Sequence, residues 1–217
     1  MNRRHCIALG FSAFFSGLSS THVHAQAKAP RSAPTLLIVG DSLSAEYGLK
    51  RGTGWVALLE QRLLKEEKSI RVVNASISGD TTSGGRSRLG TLLKQHQPAV
   101  VVIELGGNDA LRGLPLTMTQ DNLEVMTQMA QASGAKVLLL GMQVPPNYGQ
   151  DYGARFASTF ATVAKARKAA LVPFFLKGVA DGPDALGMFQ ADRIHPLEAA
   201  HPVLLANVWP ELKKLLP

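Results

Sequence analysis

The chain is poor in the groups that most often announce a chemistry. Only one cysteine occurs in its 217 residues, Cys6. It falls in an N-terminal stretch marked for removal, so the rest of the chain offers no disulfide, thiolate nucleophile or cysteine-ligated metal. Long apolar runs are missing as well. No segment after the N-terminus approaches the ~18 apolar residues of a bilayer-crossing helix, and the mature chain is expected to be soluble. Aromatic residues make up 6% of the chain, and no dense basic tract is interleaved with them. That argues against a nucleic-acid partner in spite of a formal charge of +7. Histidine is sparse beyond the N-terminus: only His96, His195 and His201 remain there.

The N-terminus reads as an export signal. Arg3 and Arg4 form a charged start, Cys6 to Leu18 is apolar, and Val23-His24-Ala25 offers a small-residue cleavage site, with Ala25-Gln26-Ala27 as a second choice. Residues 1–25 are therefore expected to be a signal peptide, cleaved after Ala25 or Ala27, and residues 26–33 a disordered lead-in. The pattern fits Sec-type export to the periplasm or beyond better than twin-arginine export. Losing Arg3 and Arg4 changes the charge to 21 − 16 = +5. The remaining basic residues are spread over helical stretches, a solvated surface that leaves room for transient contact with a membrane surface.

From residue 34 to residue 217 the pattern is that of one domain of ordinary size. Strand-length apolar runs at Leu36–Val39, Ile70–Ala75, Val100–Leu105, Val137–Leu140 and Leu171–Phe175 show little alternation, as strands buried on both faces do. Helical patterns separate them, over Gly54–Lys65, Thr82–Gln95, Thr117–Ser133 and Asp151–Ala170. Gly134 suits a helix C-terminus. The β-α-β-α order predicts an α/β fold: a single, doubly wound, parallel five-stranded sheet with helices on both faces. Near the C-terminus, Pro202 is expected to open a helix through Trp209, with Pro210 separating a short continuation to Leu216.

In such a sheet, ligands gather beyond the C-terminal strand ends. Four loops leave those ends with chemistry-bearing residues: Gly40-Asp41-Ser42, Ser78-Gly79-Asp80, Gly106-Gly107-Asn108-Asp109 and Gln143 to Gly149. Asp192-Arg193-Ile194-His195 follows the fifth strand after a longer excursion. Ser42 is a nucleophile candidate that needs a base within hydrogen-bond reach. His195 can be that base, and Asp192, three residues back, can fix its tautomer and stabilise the imidazolium. The Ser42 N–H, the Gly79 N–H and the Asn108 amide can hold negative charge on a carbonyl oxygen. Each block alone also reads as an ordinary turn or surface pair. His195, Glu198 and His201 occur at helical spacing, but Pro196 and Pro202 interrupt the helix, so neither a metal nor any other cofactor is expected.

Taken together, Gly40-Asp41-Ser42-Leu43-Ser44, Ser78-Gly79-Asp80-Thr81-Thr82, Gly106-Gly107-Asn108-Asp109 and Asp192-x-x-His195 resemble the four ordered blocks of the SGNH hydrolases, also called GDSL esterases and lipases. The similarity is to the thioesterase I/lysophospholipase/arylesterase branch and runs from about Thr35 to Trp209. The resemblance implies a flavodoxin-like sheet, a Ser42–His195–Asp192 triad and an oxyanion hole from Ser42, Gly79 and Asn108. Asp41 and Asp109 would support their loops. Three positions depart from the family pattern: Glu46 stands where a small residue is expected, Arg193 where glycine is usual, and Leu197-Glu198 where a small polar residue is more common. Glu46 and Arg193 are expected to narrow or charge the entrance.

Leu111, Met142, Val144, Pro145 and Tyr148 lie on rim loops and are expected to line an apolar acyl groove, together with Leu114 and Pro146. An exported enzyme of this kind would meet lysophospholipids, other lipid esters or aryl esters rather than cytoplasmic thioesters. A carbohydrate O-acetyl esterase on the same triad is the alternative, and a non-enzymatic flavodoxin-like binding module a more distant one. The sequence leaves the oligomeric state open.

Overall fold

The computed structural model describes residues 33–217. The expected signal peptide and all but the last residue of the expected lead-in lie outside the described residues. Five strands form one parallel sheet: β1 (Thr35–Gly40), β2 (Arg71–Asn74), β3 (Val100–Glu104), β4 (Lys136–Leu140) and β5 (Ala170–Val172), in the order β2-β1-β3-β4-β5. Leu36, Leu37, Ile38 and Val39 of β1 are all 0% exposed. This is why β1 reads as an unbroken apolar run: both of its faces are covered.

Helices α1 (Trp55–Lys65) and α6 (His201–Leu215) pack together, while α2 (Thr82–His96), α4 (Leu116–Ala132) and α5 (Gln150–Arg167) pack in succession. In α1 the buried positions Trp55, Val56, Leu59 and Leu63 form one apolar stripe. The winding reverses at β1, whose neighbours β2 and β3 are reached by crossovers in opposite directions. Such a reversal opens a crevice beyond the strand ends. Ser42 leaves β1 on one side of it, and the short helix α3 (Gly107–Leu111) follows β3 on the other.

Register places one buried carboxyl group in the sheet. Gly40 pairs with Glu104, and a methyl group on Gly40 would stand 2.8 Å from both Glu104 Oε2 and Ser44 Oγ. The absent side chain thus makes room for a carboxyl group directly below the turn that carries Ser42.

Three boundaries differ from the sequence reading. The fifth strand stops at Val172, not Phe175. Pro173 cannot donate a ladder hydrogen bond, and the chain rejoins β4 only through Phe175 N–H to Gly141 O at 2.8 Å. Phe175 is instead a core residue, edge-on to Trp55 at 5.6 Å. Helix α5 ends at Arg167, because Lys168 turns left-handed (φ 50°) and Ala170 pairs with Leu138. At the C-terminus, one continuous helix α6 runs through Pro210. Pro210 removes one helical N–H, but buried Leu204, Leu205, Val208, Trp209 and Leu212 lie on both sides of it and hold the helix to the core.

Helix α1 begins without a side-chain cap from Gly54. Its first donors are met from a distance: the Glu46 carboxylate accepts from Gly52 N–H and Gly54 N–H (3.0 and 2.8 Å), and His201 Nδ1 accepts from Trp55 N–H (3.0 Å). His201 is buried, and desolvation holds its pKa below the ordinary 6.5. The folded chain therefore favours the neutral imidazole, a stability contribution present above about pH 6.5 and lost as pH falls below it. His201→Ala leaves a buried N–H unpaired and is expected to cost about 1–3 kcal/mol in urea unfolding. The gap to wild type should narrow as pH falls from about 7.5 to about 5; a gap that widens on acidification would refute a neutral His201.

Candidate active site

The candidate triad is assembled. His195 Nε2 lies 2.8 Å from Ser42 Oγ, and His195 Nδ1 lies 2.6 Å from Asp192 Oδ2. The other Asp192 oxygen accepts the N–H groups of Ile194 (2.9 Å) and His195 (3.0 Å). Its bond to His195, then these two amides, draw the Asp192 pKa down to about 2. An ionised carboxylate can only accept, so Nδ1 carries the imidazole proton and Nε2 is left to accept from the Ser42 hydroxyl.

The tight loop that brings acid and base together requires a left-handed residue. Arg193 has φ 57°, where glycine fits without strain. Glycine, the residue expected at this position from the family resemblance, would meet that conformation without strain. Replacing Arg193 by glycine is expected to raise stability by up to about 1 kcal/mol in urea unfolding. Unchanged or lower stability would mean that the arginine side chain compensates for its own backbone.

Two backbone donors face the crevice unpaired. Neither Ser42 N–H nor Gly79 N–H has a hydrogen-bond acceptor among the described residues. Gly79 has φ +79°, a conformation a larger side chain would strain. The Asn108 amide stands between the two loops and is occupied at both hydrogens: Nδ2 donates to Asp41 Oδ2 (3.0 Å) and to Asp80 O (2.9 Å). An oxygen arriving there must displace one of these acceptors.

Beneath the nucleophile lies a buried acidic cluster. Asp41 Oδ1 accepts from Leu43 N–H (3.0 Å), closing the turn around Ser42. Glu104 Oε2 accepts from Ser44 Oγ (2.7 Å) and Asp41 N–H (3.3 Å), and Trp55 Nε1 donates to Ser44 Oγ (3.1 Å). Burial pushes the Asp41 pKa up to about 6 against the opposing Leu43 amide and the His195 charge. Burial and the Asp41 carboxylate push Glu104 well above its ordinary 4.5. The rise is opposed by the His195 charge at Asp41 and by no such charge at Glu104.

Other residues hold the loops. Asp109 accepts from Thr82 N–H (2.9 Å), from the Thr82 hydroxyl and from Thr119 Oγ1 (3.3 Å), tying α3 to the start of α2. Arg88 joins Asp80 Oδ2 (2.8 Å), Ala75 O and Gly40 O (3.4 Å), fixing the Gly79 loop to the end of β1. Glu46 does not charge the entrance as expected: its carboxylate is spent on the Gly52 and Gly54 amides.

The expected groove residues differ in exposure. Leu111 is exposed at the end of α3, Met142 is buried in the core, Val144 and Tyr148 are half-buried, and Pro145 is exposed. Tyr148 stacks on Tyr152 at 6.1 Å, and no hydrogen bond or ring contact joins Val144, Pro145 or Tyr148 to the triad. A different apolar set marks the rim. Exposed Tyr47, Ile77, Leu111, Ile194 and Leu197 belong to the segments that carry Ser42, Gly79, Asn108 and His195.

Sequence reasoning missed two residues that join the nucleophile loop to the base loop. The Tyr47 ring packs on the His195 imidazole, centroids 4.3 Å apart. Gln190 Nε2 donates to Tyr47 O (3.0 Å) and Pro196 O (3.2 Å), while its backbone N–H donates to His195 O (2.8 Å). Their nearness to Ser42 and His195 in the chain was the only available signal. Among the described residues no group of three His, Cys, Asp or Glu converges as a metal cage. His195 faces Ser42 and His201 faces Trp55.

The chain is similar to known proteins along most of its length. Residues 38–203 match the model of the GDSL-like Lipase/Acylhydrolase family. The chain is 59% identical over 184 residues to the esterase TesA of Pseudomonas aeruginosa, covering 85% of this chain and 90% of that one. It is 42% identical over 184 residues to the thioesterase 1/protease 1/lysophospholipase L1 of Escherichia coli, covering 85% and 86%. A solved structure of TesA superposes with a TM-score of 0.81 at 59% identity, covering 84% of this chain and 99% of that one. The chain belongs to the GDSL-like lipase/acylhydrolase (SGNH hydrolase) family, and it is an ester hydrolase of the esterase/arylesterase/thioesterase group.

The upward shift of Glu104 has a measurable consequence. The folded chain binds its proton more tightly than the unfolded chain, so the contribution is complete below about pH 4.5 and is lost as pH rises above it. Glu104→Gln removes that titration while keeping the shape. The urea midpoint of the variant relative to wild type should rise between about pH 4.5 and about pH 8. A constant difference would show that Glu104 ionises as it does in water.

Proposed function

We propose that the protein is an exported serine esterase working through a Ser42–His195–Asp192 triad and an acyl-enzyme. The observation that carries this reading is the 2.8 Å approach of His195 Nε2 to Ser42 Oγ beside the two unpaired N–H groups of Ser42 and Gly79. His195 takes the Ser42 proton as the oxygen attacks the ester carbonyl carbon. Asp192 stabilises the imidazolium. Charge on the carbonyl oxygen meets the Ser42 and Gly79 amides and one hydrogen of Asn108, which exchanges Asp80 O for the oxyanion. His195 then protonates the departing alcohol. Water, deprotonated by His195, attacks the acyl carbon, and Ser42 leaves with that proton.

The substrates that suit the site are lysophospholipids, other lipid esters and aryl esters. The exposed rim residues Tyr47, Ile77, Leu111, Ile194 and Leu197 offer apolar surface to an acyl or aryl group. The Arg3-Arg4 start and the apolar stretch Cys6–Leu18 support export to the periplasm. There, coenzyme A and carrier-protein thioesters are out of reach. The E. coli relative is named for thioesterase, protease and lysophospholipase activities, and thioester cleavage here would use the same steps.

A serine-directed fluorophosphonate should label Ser42, and Ser42→Ala should lose both labelling and turnover of p-nitrophenyl esters. Asn108→Ala is expected to lower turnover by ~10²–10³ with the fold intact. Wild-type turnover in either variant would overturn the corresponding role. A panel of acyl lengths decides the substrate class, and a steep preference for acetate on sugars would replace the lipid reading with a carbohydrate O-acetyl esterase.

A further inference from the structure

Helix α3 places two side chains one turn apart, Asn108 and Arg112, with Arg112 N–H donating to Asn108 O (3.1 Å). Both reach across the crevice to the same short stretch of the β2 loop. Asn108 Nδ2 donates to Asp80 O (2.9 Å) and Arg112 Nη2 donates to Gly79 O (2.8 Å). The guanidinium lies against the open face of Gly79, where an added Cβ would be 3.7 Å from Nη2. Gly79 is also the residue whose unpaired N–H faces the reacting carbonyl in the mechanism above. The cation is thus anchored on the carbonyl of the same residue whose N–H is offered to the oxyanion.

Arg112 is otherwise uncommitted. Its side chain is exposed, and among the described residues no carboxylate comes within ion-pair distance of it. Arg88, which anchors the same loop, differs: it is half-buried and neutralised by Asp80 at 2.8 Å. A purely structural arginine would be expected to look like Arg88. A guanidinium has five donors in a planar fork suited to phosphate oxygens. The Gly79 carbonyl takes one of them, and no other acceptor among the described residues meets its side chain.

We infer that Arg112 is an anion subsite that selects esters bearing a phosphate a few bonds from the scissile carbonyl. This rests on the triad reading above and specifies its substrate class. An acyl ester on one end of glycerol with phosphate on the other is an ester of this class, with three carbons between the two oxygens. The hydrogen bond to Gly79 O sets where the cation stands, and the remaining donors take the phosphate. Arg112 contributes to ground-state capture, so its effect falls mainly on KM.

The test compares kcat/KM for a short-chain 1-acyl-glycerol-3-phosphate, kept monomeric, with that for the matching neutral 1-acylglycerol. Arg112→Gln keeps a donor for Gly79 O and removes the charge. It should lower the phosphate-to-neutral ratio of kcat/KM by about tenfold or more, chiefly through KM. Arg112→Lys should restore most of the ratio, and inorganic phosphate should inhibit wild type more strongly than Arg112→Gln. A parallel fall on both substrates would reduce Arg112 to a support for Gly79 and overturn the subsite. So would an unchanged ratio, or a preference that appears only when the same headgroup is presented in vesicles. A carboxylate ester that shows the same Arg112-dependent preference as the phosphate ester would also overturn the phosphate assignment. Failure of the triad reading is separate: wild type would then hydrolyse neither ester and Ser42 would resist the fluorophosphonate.

Discussion

The pairing of β1 with β3 fixes the site more than any contact within the site does. Register sets Gly40 against Glu104, and the missing side chain of Gly40 admits a carboxyl group under the turn. From that point Glu104 gathers the Asp41 amide and the Ser44 hydroxyl, and Ser44 in turn receives the Trp55 indole. Asp41 shapes the Ser42 turn with one oxygen and holds Asn108 with the other. The Ser42 turn and the Asn108 amide therefore hang from one buried acidic cluster. A one-residue slip of β3 would turn Glu104 to the opposite face of the sheet and dissolve the arrangement.

Burying two carboxyl groups together is costly unless at least one is neutral. Here burial and mutual repulsion push both carboxyls toward their protonated forms, while Asp41 keeps two N–H donors and lies within reach of the His195 charge. The Asp192 carboxylate sits in the opposite situation, exposed and surrounded by donors, and remains ionised. Three acids in one site are thus set to different protonation behaviour by environment alone. Among the three, Asp192 alone bonds the His195 ring directly.

Much of this was legible in the sequence, for identifiable reasons. Strands buried on both faces leave unbroken apolar runs, so β1, β3 and β4 stood out, whereas β5 was overextended because Phe174 and Phe175 are apolar without being strand. Pro210 suggested a broken helix, since local rules weigh the lost N–H and cannot see the apolar face that keeps α6 whole. Ser42, Gly79, Asn108, Asp192 and His195 were findable because each sits in a short block rich in turn residues. Glu104 was hidden inside an apolar strand, and its role follows only from what lies across the ladder. Tyr47, Gln190 and Arg112 act through contacts between segments distant in the chain, which no local pattern encodes. Glu46 was misjudged for the same reason: its partners, Gly52 and Gly54, lie across a turn rather than at the mouth.

The Asp192–His195 loop is self-contained. Acid and base share four residues, and their hydrogen bonds close within that span. Gln190 then clasps it to the Tyr47 backbone. Upstream, the mostly exposed stretch from residue 180 to residue 187 bears none of these bonds to the loop. A change in its length would leave the pairing of Asp192 with His195 intact, since the bonds that close the loop lie wholly within it.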